Sequence, residues 1–280
     1  EDDLIKDAVD AASKSDLVLL FAGNSFLYES EGFDRDNIEL PDGQNQLIDA
    51  VTKVNKNVIV ILSNGQPVTM PWKNKVKAIV ETWFGGEEIA PAMTDVLFGR
   101  YNPSGKLPVT FPAKLEDCLG YSTYKKVDST IAYSDGLFVG YRLYDKTKVE
   151  PLFPFGFGLS YTQFEYKDIK LSSKQMSHDG NVTVTFTLTN KGKVDGAETV
   201  QLYVNDIQSS VERPEKELKG FSKIFLKAGE SKQVEFTIDK SALSFYDIKT
   251  KNWTAESGEF NILIGSSSRD IKLKENFVLK

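Results

Sequence analysis

The chain has 280 residues, which corresponds to roughly two domains of ordinary size. Its 40% hydrophobic and 26% charged residues are typical of a soluble globular protein, and no run approaches the roughly 20 apolar residues that a membrane-spanning helix needs. The net charge of −6, with basic and acidic residues interspersed, leaves no basic stripe for nucleic acid. We therefore expect a soluble protein, secreted or cytoplasmic, that binds neither membrane nor nucleic acid.

The chain has one cysteine and one histidine, Cys118 and His178. One cysteine cannot form a disulfide within the chain or a cysteine-type zinc site, and we expect it to serve as a small apolar side chain. His178 lies in a turn-like segment and has no second histidine for metal binding. We therefore predict no metal, no cofactor and no histidine-based catalysis.

The first part of the chain alternates helix and strand patterns. It opens on a helical pattern without a basic and apolar leader, so we expect Glu1 to lie inside a longer protein. Amphipathic helix patterns cover residues 4–12, 46–54 and 89–97, and short apolar strand patterns cover residues 17–22, 58–62 and 77–83. This alternation indicates an α/β domain over residues 1–115, with a mostly parallel sheet covered on both faces.

The second part of the chain has two different compositions. Residues 116–161 are rich in proline, glycine, tyrosine and phenylalanine, and we interpret them as an ordered connector because large aromatic side chains are costly to leave in water. In residues 162–280 apolar and polar residues alternate, which predicts half-buried antiparallel strands. Several short strands at this spacing indicate an immunoglobulin-like or fibronectin III-like β-sandwich.

An acidic and aromatic loop follows the first strand pattern. Residues 28–35 read Tyr-Glu-Ser-Glu-Gly-Phe-Asp-Arg. Loops at the carboxyl ends of parallel strands are where ligands bind in open α/β sheets. A carboxyl group beside a second carboxylate and an aromatic ring can hold a proton near neutrality. The loop is therefore a candidate source of a general acid, and the alternative interpretation is a solvated acidic loop.

Several segments together resemble glycoside hydrolase family 3, the β-glucosidase and β-xylosidase family. The most specific is residues 95–108, Asp-Val-Leu-Phe-Gly-Arg-Tyr-Asn-Pro-Ser-Gly-Lys-Leu-Pro. The other matching segments are residues 29–35, 40–48, 65–72, 83–88, 140–142 and 154–161. In order and spacing they resemble the family over nearly the whole chain.

The resemblance implies the last two parts of a three-part enzyme: an α/β sandwich domain and a fibronectin type III-like domain, with an N-terminal barrel on the same or a separate chain. In this family the barrel supplies the nucleophile of a retaining exo-β-glycosidase, an aspartate commonly in a Ser-Asp-Trp setting, and no Asp-Trp pair occurs here. The Glu-Gly-aromatic-Asp-Arg pattern implies that Glu31 is the general acid/base. The chain alone is then expected to be incomplete and inactive, and the complete enzyme would act on a β-linked oligosaccharide or an aryl or alkyl β-glucoside.

Neighbouring loop residues have predicted roles as well. Glu29 is the rival of Glu31, because residues two apart in an extended segment point the same way. We interpret Glu29 as a contact to a substrate hydroxyl or as a charge neighbour of Glu31. Asp34 and Arg35 are expected to pair with each other or to anchor the loop. Gly32 fits an unusual backbone angle or a close approach.

Aromatic residues around the loop are candidates for stacking on a sugar ring. We predict that Phe33, Phe84 or Tyr28 does so, and that Phe33 belongs to the substrate-binding set and covers Glu31 in part. Trp83, near the end of a strand pattern, is expected to lie in the core.

Other functions stay open at this level. A non-catalytic carbohydrate-binding or interaction module is favoured by the absence of an Asp-Trp nucleophile from the chain. A β-xylosidase of the same family is a further alternative. A relative acting on N-acetylglucosamine would, by resemblance, have a His-Asp pair in the barrel as acid/base, and the Glu31-Gly32 context argues against it. We also allow for a homo-oligomer.

Overall fold

The structure, a computed structural model, describes residues 2–32, 34–41, 43–124 and 131–280. The chain forms two compact units, Glu1–Phe98 with Phe111–Tyr121 and Gly99–Thr110 with Ser122–Lys280. We call them the first and the second unit. No helix among the described residues is both long enough and apolar enough to cross a membrane.

The first unit alternates helices and strands as its sequence predicts. In chain order its elements are α1 (Asp2–Ser13), β1 (Val18–Gly23), α2 (Gln44–Val54), β2 (Val58–Ser63), β3 (Ala78–Glu81) and α3 (Ile89–Leu97), with 3₁₀ turns at Lys73–Lys75 and Leu115–Asp117. The three strands form one parallel sheet in the order β1-β2-β3. The carboxyl ends of all three strands therefore meet at one edge of the sheet.

The two faces of this sheet are covered to different extents. In the central strand β2, Val60 and Ile61 point to opposite faces and both are buried. In β1, Leu20 is buried, whereas Leu19 and Phe21 are 39% and 61% exposed. The prediction of a sheet covered on both faces thus holds for β2 and is wrong for β1, because the described residues leave the side that carries Leu19 and Phe21 largely exposed.

The third strand is shorter than its pattern predicts. The pattern extends over residues 77–83, but β3 ends at Glu81. Trp83 has φ +53°, a left-handed conformation that a strand cannot contain. The strand therefore ends at Glu81, which places this carboxyl group at the edge of the sheet where the carboxyl ends of the strands meet.

The second unit consists mainly of antiparallel strands. Its elements are α4 (Tyr141–Thr147), β4 (Phe164–Leu171), β5 (Gln175–Met176), β6 (Asn181–Asn190), β7 (Gly196–Asp206), β8 (Glu217–Leu226), β9 (Ser231–Asp239), α5 (Lys240–Leu243), β10 (Phe245–Asp247), β11 (Asn252–Thr254), β12 (Gly258–Ser267) and β13 (Asp270–Leu279). A five-stranded sheet has the order β5-β13-β12-β7-β8, and a three-stranded sheet has the order β4-β6-β9. β10 and β11 form a separate hairpin.

One apolar core joins the two larger sheets. The predicted alternation in β6 is confirmed, since Val182, Val184, Phe186 and Leu188 are all buried. They belong to the same core as Val200 and the other inward residues of the five-stranded sheet. Burial of alternate residues from two facing sheets is the arrangement of a β-sandwich, as predicted.

A segment distant in sequence from the sandwich belongs to the second unit. Within Gly99–Thr110, the Leu107 backbone exchanges two hydrogen bonds of 2.8 Å with Phe157 and Gly156. Lys106 Nζ lies 3.0 Å from a carboxylate oxygen of the buried Glu198 in β7, and the Lys106 side chain is largely buried. These bonds hold the segment against the sandwich.

The aromatic residues of the predicted connector have partners in the second unit. Tyr141 stacks on Phe155, with ring centroids 5.1 Å apart, and meets the buried ring of Tyr203 edge-on at 5.8 Å. Phe153 stacks on Phe157 at 5.3 Å. The rings are therefore part of a packed structure.

Candidate active site at the ends of the parallel strands

The acidic loop starts where β1 ends and is fixed to its neighbours at both ends. The Gln44 side chain donates to the Gly23 carbonyl at 2.9 Å and accepts from the Gly23 N–H at 2.8 Å. The backbone N–H of Asn24 donates to the Ser63 carbonyl, and that of Thr69 donates to the Ile38 carbonyl. A Cβ at Gly23 would lie 2.0 Å from the Ser63 carbonyl oxygen, so only glycine permits this close approach.

The middle of the loop is turned, not extended. The backbone N–H groups of Tyr28 and Glu29 both donate to the Ser25 carbonyl, at 2.9 and 3.0 Å. The expectation that Glu29 and Glu31 point the same way is therefore wrong: the Glu29 side chain is buried, whereas Glu31 is exposed. Gly32 has φ +97° with open space around it, so the glycine provides an unusual backbone angle and not a close approach.

Glu29 is bonded inside the unit. One carboxylate oxygen, Oε2, accepts from the Gly65 backbone N–H at 2.8 Å, and the other, Oε1, lies 4.0 Å from Arg35 Nη1. The Glu29 side chain is 6% exposed and that of Arg35 13%. Arg35 also donates through Nη2 to the Glu39 carbonyl at 2.9 Å. The contact of Glu29 with a substrate hydroxyl stays a prediction. In the structure, the groups beside the Glu29 carboxylate are Gly65 and Arg35 of the same unit.

The remaining predicted loop residues are placed as follows. Glu31 is exposed, so the described chain does not provide the partial burial expected for it. Asp34 is exposed and has an interaction partner, and Arg35 has the bonds described above. Phe33 lies outside the described residues. The roles predicted for Glu31, Phe33, Asp34 and Arg35 stay predictions.

A second carboxyl group, which is half-buried and which the sequence interpretation missed, lies at the end of β3. Glu81 Oε1 accepts from the Trp83 backbone N–H at 3.0 Å, and Oε2 accepts from Asn64 Nδ2 at 3.2 Å. The pKa of Glu81 is raised to about 7, chiefly by burial and in addition by the nearby charge of Glu29, while the two hydrogen bonds act in the opposite direction. The signal in the sequence that could have identified Glu81 is its position as a glutamate at the end of an otherwise apolar strand pattern.

Aromatic rings surround this edge of the sheet. Trp83 packs edge-on against the buried Phe111, with ring centroids 5.9 Å apart, and the Ser63 hydroxyl donates to the Trp83 carbonyl. Phe84 is 58% exposed, and its ring lies so close to Gly65 that a Cβ there would be 2.7 Å from Phe84 Cε2. Phe84 thus presents an open aromatic surface beside the Gly65 N–H that binds Glu29.

Several buried polar atoms in this region have no hydrogen-bond partner among the described residues. They are both side-chain atoms of the Asn24 amide, Oδ1 of Asn64, Oε1 of Glu29 and Nη1 of Arg35. Such atoms are rare in folded proteins, and a catalytic role is one of the explanations for them, together with strain and a bound water or ion. The described residues contain no group of three or more histidine, cysteine, aspartate and glutamate side chains that could hold a metal ion.

The two singled-out residues outside this region have ordinary surroundings. Burial raises the pKa of the Cys118 thiol, and the charges of Asp117 and Glu116 act in the same direction. His178 is exposed in the second unit and lies within hydrogen-bond distance of the Ser257 hydroxyl.

Comparison with known families gives two matches. The description "Glycosyl hydrolase family 3 C-terminal domain" matches residues 2–161, and "Fibronectin type III-like domain" matches residues 198–268. The first match covers more than half of the chain.

Two curated relatives are similar along the whole chain. Thermostable beta-glucosidase B of Acetivibrio thermocellus is 53% identical over 276 residues, which are 99% of this chain and 37% of the relative. Probable beta-glucosidase I of Aspergillus flavus is 44% identical over 99% of this chain and 34% of its own length. The chain thus spans about a third of the length of these relatives.

Solved structures have the same fold. The Bifidobacterium adolescentis GH3 beta-glucosidase superimposes with a TM-score of 0.95 and 41% identity, over all of this chain and 41% of the solved chain. The beta-glucosidase from Kluyveromyces marxianus in complex with glucose gives a TM-score of 0.94 and 37% identity, over all of this chain and 33% of the solved chain.

Proposed function

The chain belongs to glycosyl hydrolase family 3, and we propose that it is part of a retaining exo-acting β-glucosidase to which it supplies the general acid/base, Glu31. The observation that carries the proposal is the loop after β1. One end of the loop is bonded to Ser63 at the end of β2 and the other to Thr69, and Glu31 is exposed to solvent, where a sugar can reach it. The whole-length similarity to beta-glucosidases supports this assignment.

The chemistry needs two carboxyl groups. In retaining glycosidases they lie about 5–5.5 Å apart, and one attacks the anomeric carbon while the other protonates the departing oxygen. Glu31 would give its proton to the glycosidic oxygen in the first step and would take a proton from water in the second. By resemblance to family 3, the nucleophile would be an aspartate of a barrel domain, commonly in a Ser-Asp-Trp setting, and no Asp-Trp pair occurs in this sequence.

The loop is suited to this role by its position. A general acid must come within hydrogen-bond reach of the leaving oxygen when substrate is bound. The exposed carboxyl of Glu31 can approach a cleft that another domain completes, while Phe84 offers an open ring for one face of a sugar. The substrate is accordingly the non-reducing end of a β-linked oligosaccharide or an aryl or alkyl β-glucoside.

The test is Glu31→Ala in the complete enzyme. With cellobiose, whose leaving group needs a proton, we expect turnover to fall roughly 10²–10⁴-fold. With 2,4-dinitrophenyl β-glucoside, whose leaving group departs unprotonated, cleavage of the glycosidic bond should be much less affected, and azide should restore turnover by replacing the base-activated water.

A matched control is Glu39→Ala. It removes an exposed carboxylate from the same loop, while the Glu39 backbone carbonyl that accepts from Arg35 is retained. Glu39→Ala should leave the turnover of both substrates unchanged. An equal loss on both substrates in Glu31→Ala would show that the residue is not the general acid.

A further inference from the structure

We propose that Glu29 is a positioning residue, which holds the acid/base loop in the conformation that presents Glu31, and not a ligand of the substrate. The inference rests on the proposed function of Glu31. It comes from the Glu29 cluster, which we define as Glu29, Gly65 and Arg35.

The first observation is the place of the cluster in the loop. The backbone attachments of the loop to the rest of the first unit lie at Asn24 and Ile38, on either side of Glu31. Glu29 adds an attachment between them, since its Oε2 accepts from the Gly65 N–H, which follows the end of β2. It lies two residues before Glu31 and is therefore the attachment nearest to the proton-donating group.

The second observation is the burial of the charged pair. The Glu29 carboxylate and the Arg35 guanidinium are both largely buried, and Arg35 is itself fixed by its bond to the Glu39 carbonyl. Removing one member of a buried pair leaves the other charge without compensation. The segment from Glu29 to Arg35, which contains Glu31, is thus closed by a charge contact between its two ends.

The third observation concerns the surroundings of the two Glu29 carboxylate oxygens. Oε2 accepts from the Gly65 N–H, whereas Oε1 is buried without a hydrogen-bond partner among the described residues and lies 4.0 Å from Arg35 Nη1; Phe84 packs over Gly65 beside them. A group that acts on the substrate through Glu31 alone should influence the protonation of the leaving group. It should have little influence on steps that need no proton.

The consequence can be measured through the leaving group. Misplacing a catalytic group by about 1 Å can cost on the order of 100-fold in rate. In the complete enzyme we expect Glu29→Ala to lower kcat/KM for cellobiose roughly 10–100-fold and that for 2,4-dinitrophenyl β-glucoside less than about threefold. Glu29→Gln, which keeps an acceptor for the Gly65 N–H but leaves Arg35 without its carboxylate, should show a smaller loss of the same pattern.

The double variant Glu29→Ala/Glu31→Ala separates positioning from a direct role. If Glu29 acts only through Glu31, the double variant should equal Glu31→Ala on both substrates. A further loss on cellobiose in the double variant would mean that Glu29 contacts substrate or serves the structure generally, and would overturn the inference.

The outcomes keep the two proposals apart. If Glu31→Ala shows the leaving-group dependence and Glu29→Gln lowers kcat/KM equally for both substrates, or for neither, the positioning role is wrong while the function of Glu31 stands. If Glu31→Ala shows no leaving-group dependence, the proposed function itself fails. If Glu29→Ala unfolds below the assay temperature, Glu29→Gln alone decides whether Glu29 is a positioning residue. Glu39→Ala is the control for the loss of a loop carboxylate.

Discussion

The raised pKa of Glu81 makes the stability of the first unit dependent on pH. Its pKa is about 7 in the folded chain, against 4.5 for an ordinary glutamate, chiefly because of burial. The folded state therefore binds this proton more tightly than the unfolded state. By linkage, its stabilising contribution is complete below pH 4.5 and is lost as the pH rises through about 7.

The size of the effect follows from the same values. A rise from 4.5 to about 7 corresponds to about 3 kcal/mol between the fully protonated and the fully ionised extremes. Between about pH 5 and about pH 8, most of that difference, about 2.5 kcal/mol, should appear as a decrease in the free energy of unfolding. Other groups also titrate in this range, so the contribution has to be isolated by substitution.

The variant Glu81→Gln isolates the contribution of the Glu81 carboxyl group to the pH dependence. Glutamine retains an acceptor for the Trp83 N–H and cannot ionise, so the variant should lack this part of the pH dependence. Urea unfolding followed by the fluorescence of Trp72 and Trp83 reports on the first unit, and a Trp253→Phe background removes the exposed tryptophan of the second unit. The measured quantity is the change in unfolding free energy between the two pH values, so a constant effect of the substitution on the Asn64 contact cancels.

Glu87→Gln, at an exposed glutamate a few residues further on, is the matched control and should retain the pH dependence of the parent chain. If Glu81→Gln also retains the full pH dependence, Glu81 is not the group that holds the proton. A stability that rises with pH more steeply in the parent than in Glu81→Gln would contradict the sign of the argument.

Two further predictions concern the second unit, and both are checked by urea unfolding. Gly156 has φ +79°, and a Cβ there would lie 2.3 Å from the buried Gln201 amide oxygen, so Gly156→Ala should lower the free energy of unfolding by about 2–4 kcal/mol. The control is Gly229→Ala, at φ +76° in open space, which should lower it by only about 1 kcal/mol. Similar losses in the two variants would refute the steric argument. Lys216→Met removes a buried cation 2.5 Å from Asp145 and should lower the free energy of unfolding by up to about 3 kcal/mol. The loss should be smaller than for a fully uncompensated charge, because Arg269 remains beside the Asp145 carboxylate. An unchanged free energy of unfolding would show that Arg269 alone compensates this carboxylate.

Elements with a local hydrophobic period could be predicted from the sequence. The apolar run of β2 and the two-residue alternation of β6 determine which strands form and which side chains are buried, because side-chain direction follows from spacing along a strand. The position of the acidic loop after β1 follows in the same way. Its association with family 3 came from several short segments spread along the chain.

Features that depend on distant neighbours were decided by the tertiary structure. Glu29 and Glu31 are equivalent by spacing, and the turn onto the Ser25 carbonyl and the bond to Gly65 separate them into a buried and an exposed carboxyl group. The pKa of Glu81 depends on burial and on Asn64, which is 17 positions away. Directions and charges of this kind are set by contacts across the fold, and the period of a strand or helix contains no information about them.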